Sequence, residues 1–94
     1  MSNILLRLSV ADYAKWKPVF DEYASVRKTG GSRGGRLFRN ADNPNEVLIL
    51  WDWDTRANAQ AFFTSQDLRE TMPRAGVTGR PDVYYLDEVE RVAV

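Results

Sequence analysis

The stretch Glu46 to Trp53, EVLILWDW, constrains the fold more than any other part of this chain. Val47 to Trp51 are apolar in succession, so a strand built from them has no polar face and must be covered on both sides. Asp54 or Thr55 then offers an N-cap oxygen, and a helical run follows through Ala57, Ala61, Phe62 and Ser65. Helices packed on one side of an antiparallel sheet cover only one face of that strand. The second face calls for a cover from outside the local fold, and a second copy of the chain is the simplest one.

The remaining segments build around this unit. Asn3 to Val10 reads as a strand with Ile4, Leu6, Leu8 and Val10 on one face and Leu5, Arg7 and Ser9 on the other. Asp12 is placed to cap a helix from Tyr13 to about Lys28, whose Tyr13, Trp16, Phe20, Tyr23 and Val26 form one stripe. Pro18 removes a hydrogen bond in its second turn, and Arg27 and Lys28 suit the negative end of the helix dipole. Ser32 to Asn40 is an arginine-rich strand, and the turn formers from Asn40 to Asn45 close a hairpin onto Glu46–Trp53. Ser65 caps a short helix to about Met72, ended or kinked by Pro73. A loop from Ala75 to Pro81 then leads to a last strand, Asp82 to Glu90.

The order β-α-β-β-α-β predicts a single α+β domain over residues 1–94. It is ferredoxin-like, with an antiparallel sheet ordered 4-1-3-2 and both helical segments on one face. The two most apolar strands are then central and the two charged ones are edges. Residues 1–47 carry eight basic and five acidic side chains, and residues 48–94 carry five and eight. A homodimer that sets the basic second strand of one subunit near the acidic last strand of the other pairs these charges twice.

Composition removes several function classes. The chain has no His and no Cys, so disulfides, thiol nucleophiles, imidazole bases, His-ligated haem and the usual zinc sites are excluded, and no metal or cofactor is expected. Net charge is zero, which argues against generic nucleic-acid or anionic-membrane binding. No segment approaches the length of a membrane span. The start, MSNILLRLSV, lacks the pattern of a signal peptide, so a cytoplasmic location is expected.

The residue pattern resembles the dimeric α/β-barrel superfamily, in particular the antibiotic biosynthesis monooxygenase-like and cyclase-like small proteins. The resemblance rests on the apolar strand ending in Trp53-Asp54, the helix with Ala57, Ala61 and Phe62, and Ser65-x-x-Leu68-Arg69. The glycine-rich entry to the second strand and the turn Asp42-Asn43-Pro44 add to it. It implies a ligand pocket between helices and sheet, and no cofactor in the oxygenase branch. It also implies a role for Trp53, which stands where the oxygenases use a Trp at the end of the third strand. Two positions depart from that pattern: Val47–Leu50 covers the place of an Asn, and Phe62 that of a helix His. The haem-degrading branch needs a His ligand that this chain does not have.

Candidate site residues follow from both lines of reasoning. Trp53 is either a stacking surface for a planar ligand or a strand-end core residue. Tyr13, Trp16, Phe20 and Phe62 are candidates for an apolar substrate wall, although an aromatic stripe at helical spacing is more often core. Arg7, in the middle of a strand made for burial, needs a partner. An ion pair with Asp52, Asp87 or Glu88 is expected to supply it, with a ligand anion as the competing role. Arg36 is a candidate for holding an enolate or phenolate, and Tyr85 (or Tyr13) for handling a proton. The run Gly30 to Gly35 follows a helix rather than preceding one, so it lacks the geometry of a nucleotide loop. Two functions are therefore expected to compete. One is a cofactor-free oxygenase or cyclase acting on a planar aromatic, polyketide-like molecule. The other is a non-catalytic dimer that binds a ligand or assists assembly.

Overall fold

A computed structural model describes residues 1–94. The elements are β1 (Ser2–Val10), α1 (Tyr13–Glu22), α2 (Ala24–Gly30), β2 (Ser32–Asn40), β3 (Asn43–Trp53), α3 (Arg56–Phe63), α4 (Gln66–Arg74) and β4 (Val77–Leu86). All strand pairs are antiparallel, and the sheet runs β2-β3-β1-β4. This is the expected ferredoxin-like order read from the other edge.

Strict alternation along β1 and β3 builds the core. Ile4, Leu6, Leu8 and Val10 interleave with Val47, Ile49, Trp51 and Trp53, all buried, and the helices add Trp16, Ala59 and Leu68. The caps form as the sequence suggests. Asp12 accepts from the Ala14 N–H, Thr55 from the Asn58 N–H and Ser65 from the Leu68 N–H. No helix is long and apolar enough to cross a membrane.

Three boundaries differ from expectation. The first helix is two, divided at Tyr23, whose φ of −81° and ψ of 0° leave the helical region. At the division the Phe20 carbonyl accepts from the Tyr23 N–H at 3.3 Å and also from Arg27 Nη1 at 2.7 Å. The β2–β3 hairpin is tighter than the turn formers indicate. Asn40 pairs with Asn43 across two residues, and Asn40 Oδ1 accepts from the Asp42 N–H, so Pro44 lies within β3. The last strand begins at Val77, not Asp82, and ends at Leu86. Gly79 and Pro81 read as loop formers but sit in an irregularity of an edge strand. Four β4 steps, Thr78 to Asp82, oppose two β1 steps, Arg7 to Ser9.

The other sheet face carries Leu5, Arg7, Leu48, Leu50 and Tyr84, and no helix covers it. Tyr84 is 52% exposed.

Candidate functional site

Between the helices and the inner face of the sheet lies a cavity of about 60 Å³. Its walls are mostly aromatic and aliphatic: Trp16 and Phe20 from α1, Trp51 from β3, Phe62 and Phe63 from α3, and Met72 from α4. The rings form a continuous series. Trp16–Phe20 centroids are 4.8 Å apart, Phe20–Trp51 5.9 Å, Trp51–Trp53 5.9 Å and Trp53–Phe62 5.0 Å.

Few polar side chains reach this wall: Tyr23, Arg27 and Thr71. The break between α1 and α2 places the first two. Arg27 lies one turn beyond Tyr23, its side chain folds back to the Phe20 carbonyl, and its guanidinium sits 4.0 Å from the Phe20 ring centroid and 5.2 Å from that of Trp51. No carboxylate pairs with it, since the ion pairs are Arg7–Glu46, Arg7–Asp82 and Lys17–Asp21. Burial lowers its pKa from the ordinary value, opposed by Asp21 and Tyr23. An arginine stays charged through such a shift. The Tyr23 hydroxyl donates to Asp67 of α4. Burial, then that hydrogen bond, raises the Tyr23 pKa, while Thr71 works in the opposite sense.

Trp51 completes the polar set. Its indole Nε1 is buried and has no hydrogen-bond partner, in contrast to Trp53, whose Nε1 donates to the Gly30 carbonyl at 2.9 Å. Gly35 explains how Trp51 lies so close to β2: a Cβ there would stand 2.9 Å from the indole. Gly31, at φ 117°, turns the chain from α2 into β2, and its carbonyl accepts from the Asp54 N–H at 2.9 Å. These contacts hold the end of β3 against the end of α2.

The residues selected from sequence fall into three groups. Trp16, Phe20 and Phe62 line the cavity. Trp53 is fully buried behind it, within the core. Tyr13 and Tyr85 share the inner layer but lie outside the cavity. Tyr13 stacks under Arg39 at 4.3 Å, and Tyr85 lies under Arg56 at 5.7 Å. Arg7 and Arg36 are turned to the opposite face by strand register, opposite Leu48 and Leu50. Arg7 is satisfied there by Glu46 at 2.6 Å and Asp82 at 3.1 Å, not by Asp52, Asp87 or Glu88. Asp82 is its direct cross-strand neighbour and Glu46 its diagonal one, which explains the choice. Arg36 stacks on Phe38, 5.1 Å from its centroid.

Sequence reasoning missed Trp51, Arg27 and the Tyr23–Asp67 pair as site groups. One signal was present: Arg27 continues the Phe20 and Tyr23 stripe at spacings of seven and four. Its fit to the helix dipole hid that placement.

The chain is similar in structure to proteins of the antibiotic biosynthesis monooxygenase type. A monooxygenase candidate of that name from Bordetella bronchiseptica superposes with a TM-score of 0.78 at 19% identity, over 95% of this chain and 97% of that one. SnoaB, a cofactor-independent oxygenase from Streptomyces nogalater, gives 0.68 at 17% identity over 94% of each chain, and a single-residue mutant of it gives 0.73 at 16% over 99% and 97%. The ActVA-Orf6 monooxygenase of Streptomyces coelicolor, in complex with nanaomycin D, gives 0.69 at 14% over 99% and 91%. The protein has their fold. No family model matches the chain. A curated relative from Haloarcula marismortui, named as a candidate haem-binding protein, is 36% identical over 47 residues, half of this chain and 7% of that protein's length.

The residues here do not fit a haem. The chain has neither His nor Cys, no cluster of His, Cys, Asp or Glu could hold a metal ion, and Tyr23 is engaged with Asp67. A cavity of about 60 Å³ is far too small for a macrocycle.

Proposed function

We propose that the protein is a cofactor-independent enzyme, oxygenase- or cyclase-like, acting on a planar aromatic molecule that enters beside Trp51 and Arg27. It acts as a homodimer closed over the outer sheet face. The observation that carries this reading is the unpaired Arg27 guanidinium held among aromatic rings on the cavity wall. A cation kept partly out of water with no carboxylate paired to it is poised for an anion, and the flat rings around it favour a planar one.

The chemistry follows from these groups. A phenolic or enolic substrate loses a proton, with Tyr23–Asp67 the acid/base pair at the wall, and Arg27 stabilises the resulting anion. A carbanion of this kind, on a carbon that keeps a second hydrogen, can itself reduce dioxygen: its electron pair forms the C–O bond as the O–O π bond breaks, and the resulting peroxide takes up a proton and loses water to leave a carbonyl. An acceptor atom on the substrate would also satisfy the Trp51 N–H, whose burial without a partner costs about 1–3 kcal/mol. The fold shared with SnoaB and ActVA-Orf6 supports the oxygenase form.

The small cavity favours a second reading, a non-catalytic dimer that binds a ligand or assists assembly, because a tricyclic substrate enters only if side chains move. Oxygen uptake separates the two. Protein freed of metal and flavin, given a panel of anthrones and hydroxynaphthoquinols, consumes oxygen above the buffer rate in the first case, and Tyr23→Phe and Arg27→Met lower that rate. Saturable binding with no uptake on any member supports the second reading.

A further inference from the structure

Next to the aromatic cavity, and sharing Trp51 and Arg27 with it, is a wider cleft of about 430 Å³ between the end of α2 and the start of β2. Its charged lining is entirely basic: Arg27 and Lys28 on the helix side and Arg33 on the strand side, with no Asp or Glu among the lining residues. Neither Lys28 nor Arg33 forms an ion pair. Dipole pairing explains basic residues at the end of α2. It does not explain Arg33, which reaches the cleft from the other wall.

Local backbone accounts for that placement. The β2–β3 register passes from Ser32 opposite Trp53 to Gly34 opposite Asp52, so Arg33 is the extra residue of a bulge. Gly34 takes φ 108°, and Ser32 Oγ accepts from its N–H at 3.2 Å. A bulge removes a side chain from the alternating pattern and re-aims it. Three cations with no acid between them around one cleft repel one another unless a counter-charge lies among them.

We infer that this cleft is a subsite for an anionic substituent, a carboxylate or similar group, carried by the aromatic ligand of the adjoining cavity. The inference rests on the proposed aromatic site and narrows its substrate class to aromatic acids. The ring lies against Trp51, and the acid group accepts hydrogen bonds from Arg33 and Lys28 at the open end.

The test compares 2-naphthol with 3-hydroxy-2-naphthoate by isothermal titration calorimetry, on the wild-type protein and on Lys28→Gln/Arg33→Gln. Arg27 is left intact because it also packs on Phe20 and Trp51, and circular dichroism checks that the double variant folds. The acid is expected to bind about tenfold tighter or more than the naphthol, the size of a charge-assisted hydrogen bond. That preference collapses in the double variant and shrinks between about 20 and 500 mM salt. Equal affinity for the two compounds overturns the subsite and leaves the aromatic site standing. A preference that survives the double substitution overturns the assignment of the acid group to Lys28 and Arg33. Binding of neither compound overturns both the subsite and the aromatic site.

Discussion

The two faces of the sheet are made by the same strands and differ in almost every physical respect. On the inner face, the odd-numbered residues from Val47 to Trp53 and the even-numbered ones from Ile4 to Val10 are buried to 5% exposure or less, and the chain's own helices cover them. On the outer face the intervening residues stay partly open, and a charged group occupies the centre: Arg7 holds Glu46 and Asp82, and Glu46 also accepts from Asn40 at 2.6 Å. The inner face keeps its polar groups few and underused, with Arg27 lacking an acid and Trp51 lacking an acceptor. The outer face pairs its central charge, Arg7, with two carboxylates. Unmet polar demand marks a place for a ligand, and met demand beside open apolar surface marks a place for packing.

The sharpest way to break this contrast is Trp53→Ala. If Trp53 is core, the substitution removes a fully buried side chain and its hydrogen bond to Gly30, and unfolding free energy falls by about 3–5 kcal/mol. Urea denaturation measures it, and a loss under about 1 kcal/mol would move Trp53 out of the core and back toward the ligand. Next in size is Leu50→Lys on the outer face. It places a charge in the surface assigned to the second copy, so light scattering at micromolar concentration is expected to show a folded monomer for the variant and a dimer for the wild-type protein. A wild-type monomer would remove the reason for the open face.

Much of this contrast was legible in the sequence, and its limits have physical causes. Alternation in Ile4–Val10 and the continuous apolar run Val47–Trp51 were enough for strand order and for two demanding faces, because side-chain period depends only on the backbone. Register was not legible, and it decides partners: Arg7 meets Asp82 and Glu46 because those positions face it, not because they are the most acidic neighbourhood. The start of β4 was hidden by Gly79 and Pro81, which an edge strand tolerates at an irregularity. The site was only half legible. Trp16, Phe20 and Phe62 came from the aromatic pattern, whereas Arg27 reaches the cavity because the helix breaks at Tyr23, and no residue there announces a break.

A smaller effect sharpens the outer-face side. The hydrogen bond from Asn40, then that from Arg7, lowers the Glu46 pKa below its ordinary 4.5. A carboxylate with a depressed folded pKa stabilises the fold fully above its unfolded value and loses that contribution as pH falls through the folded one. Stability therefore drops on the acid side of about pH 4.5, and Glu46→Gln flattens that limb of the pH–stability curve. An unchanged slope would mean that the Arg7 group is not held in solution. Smallest of all is Trp51→Phe. It removes the unpartnered N–H, which favours the fold, but also shrinks a buried ring, which opposes it, so the two effects largely offset and thermal stability changes by about 1 kcal/mol or less in either direction.

Trp51 also offers the most direct test of the claim that the inner face is a ligand site. The three indole N–H groups give three separate cross-peaks in a ¹⁵N–¹H correlation spectrum, assigned with Trp51→Phe and Trp53→Phe. On titration with 3-hydroxy-2-naphthoate, the Trp51 peak should move furthest and downfield as its N–H gains an acceptor. The Trp53 peak, already bonded to Gly30, should stay near its starting position. A Trp51 peak that does not move while ligand saturates elsewhere, or a larger shift at Trp53, would contradict the account.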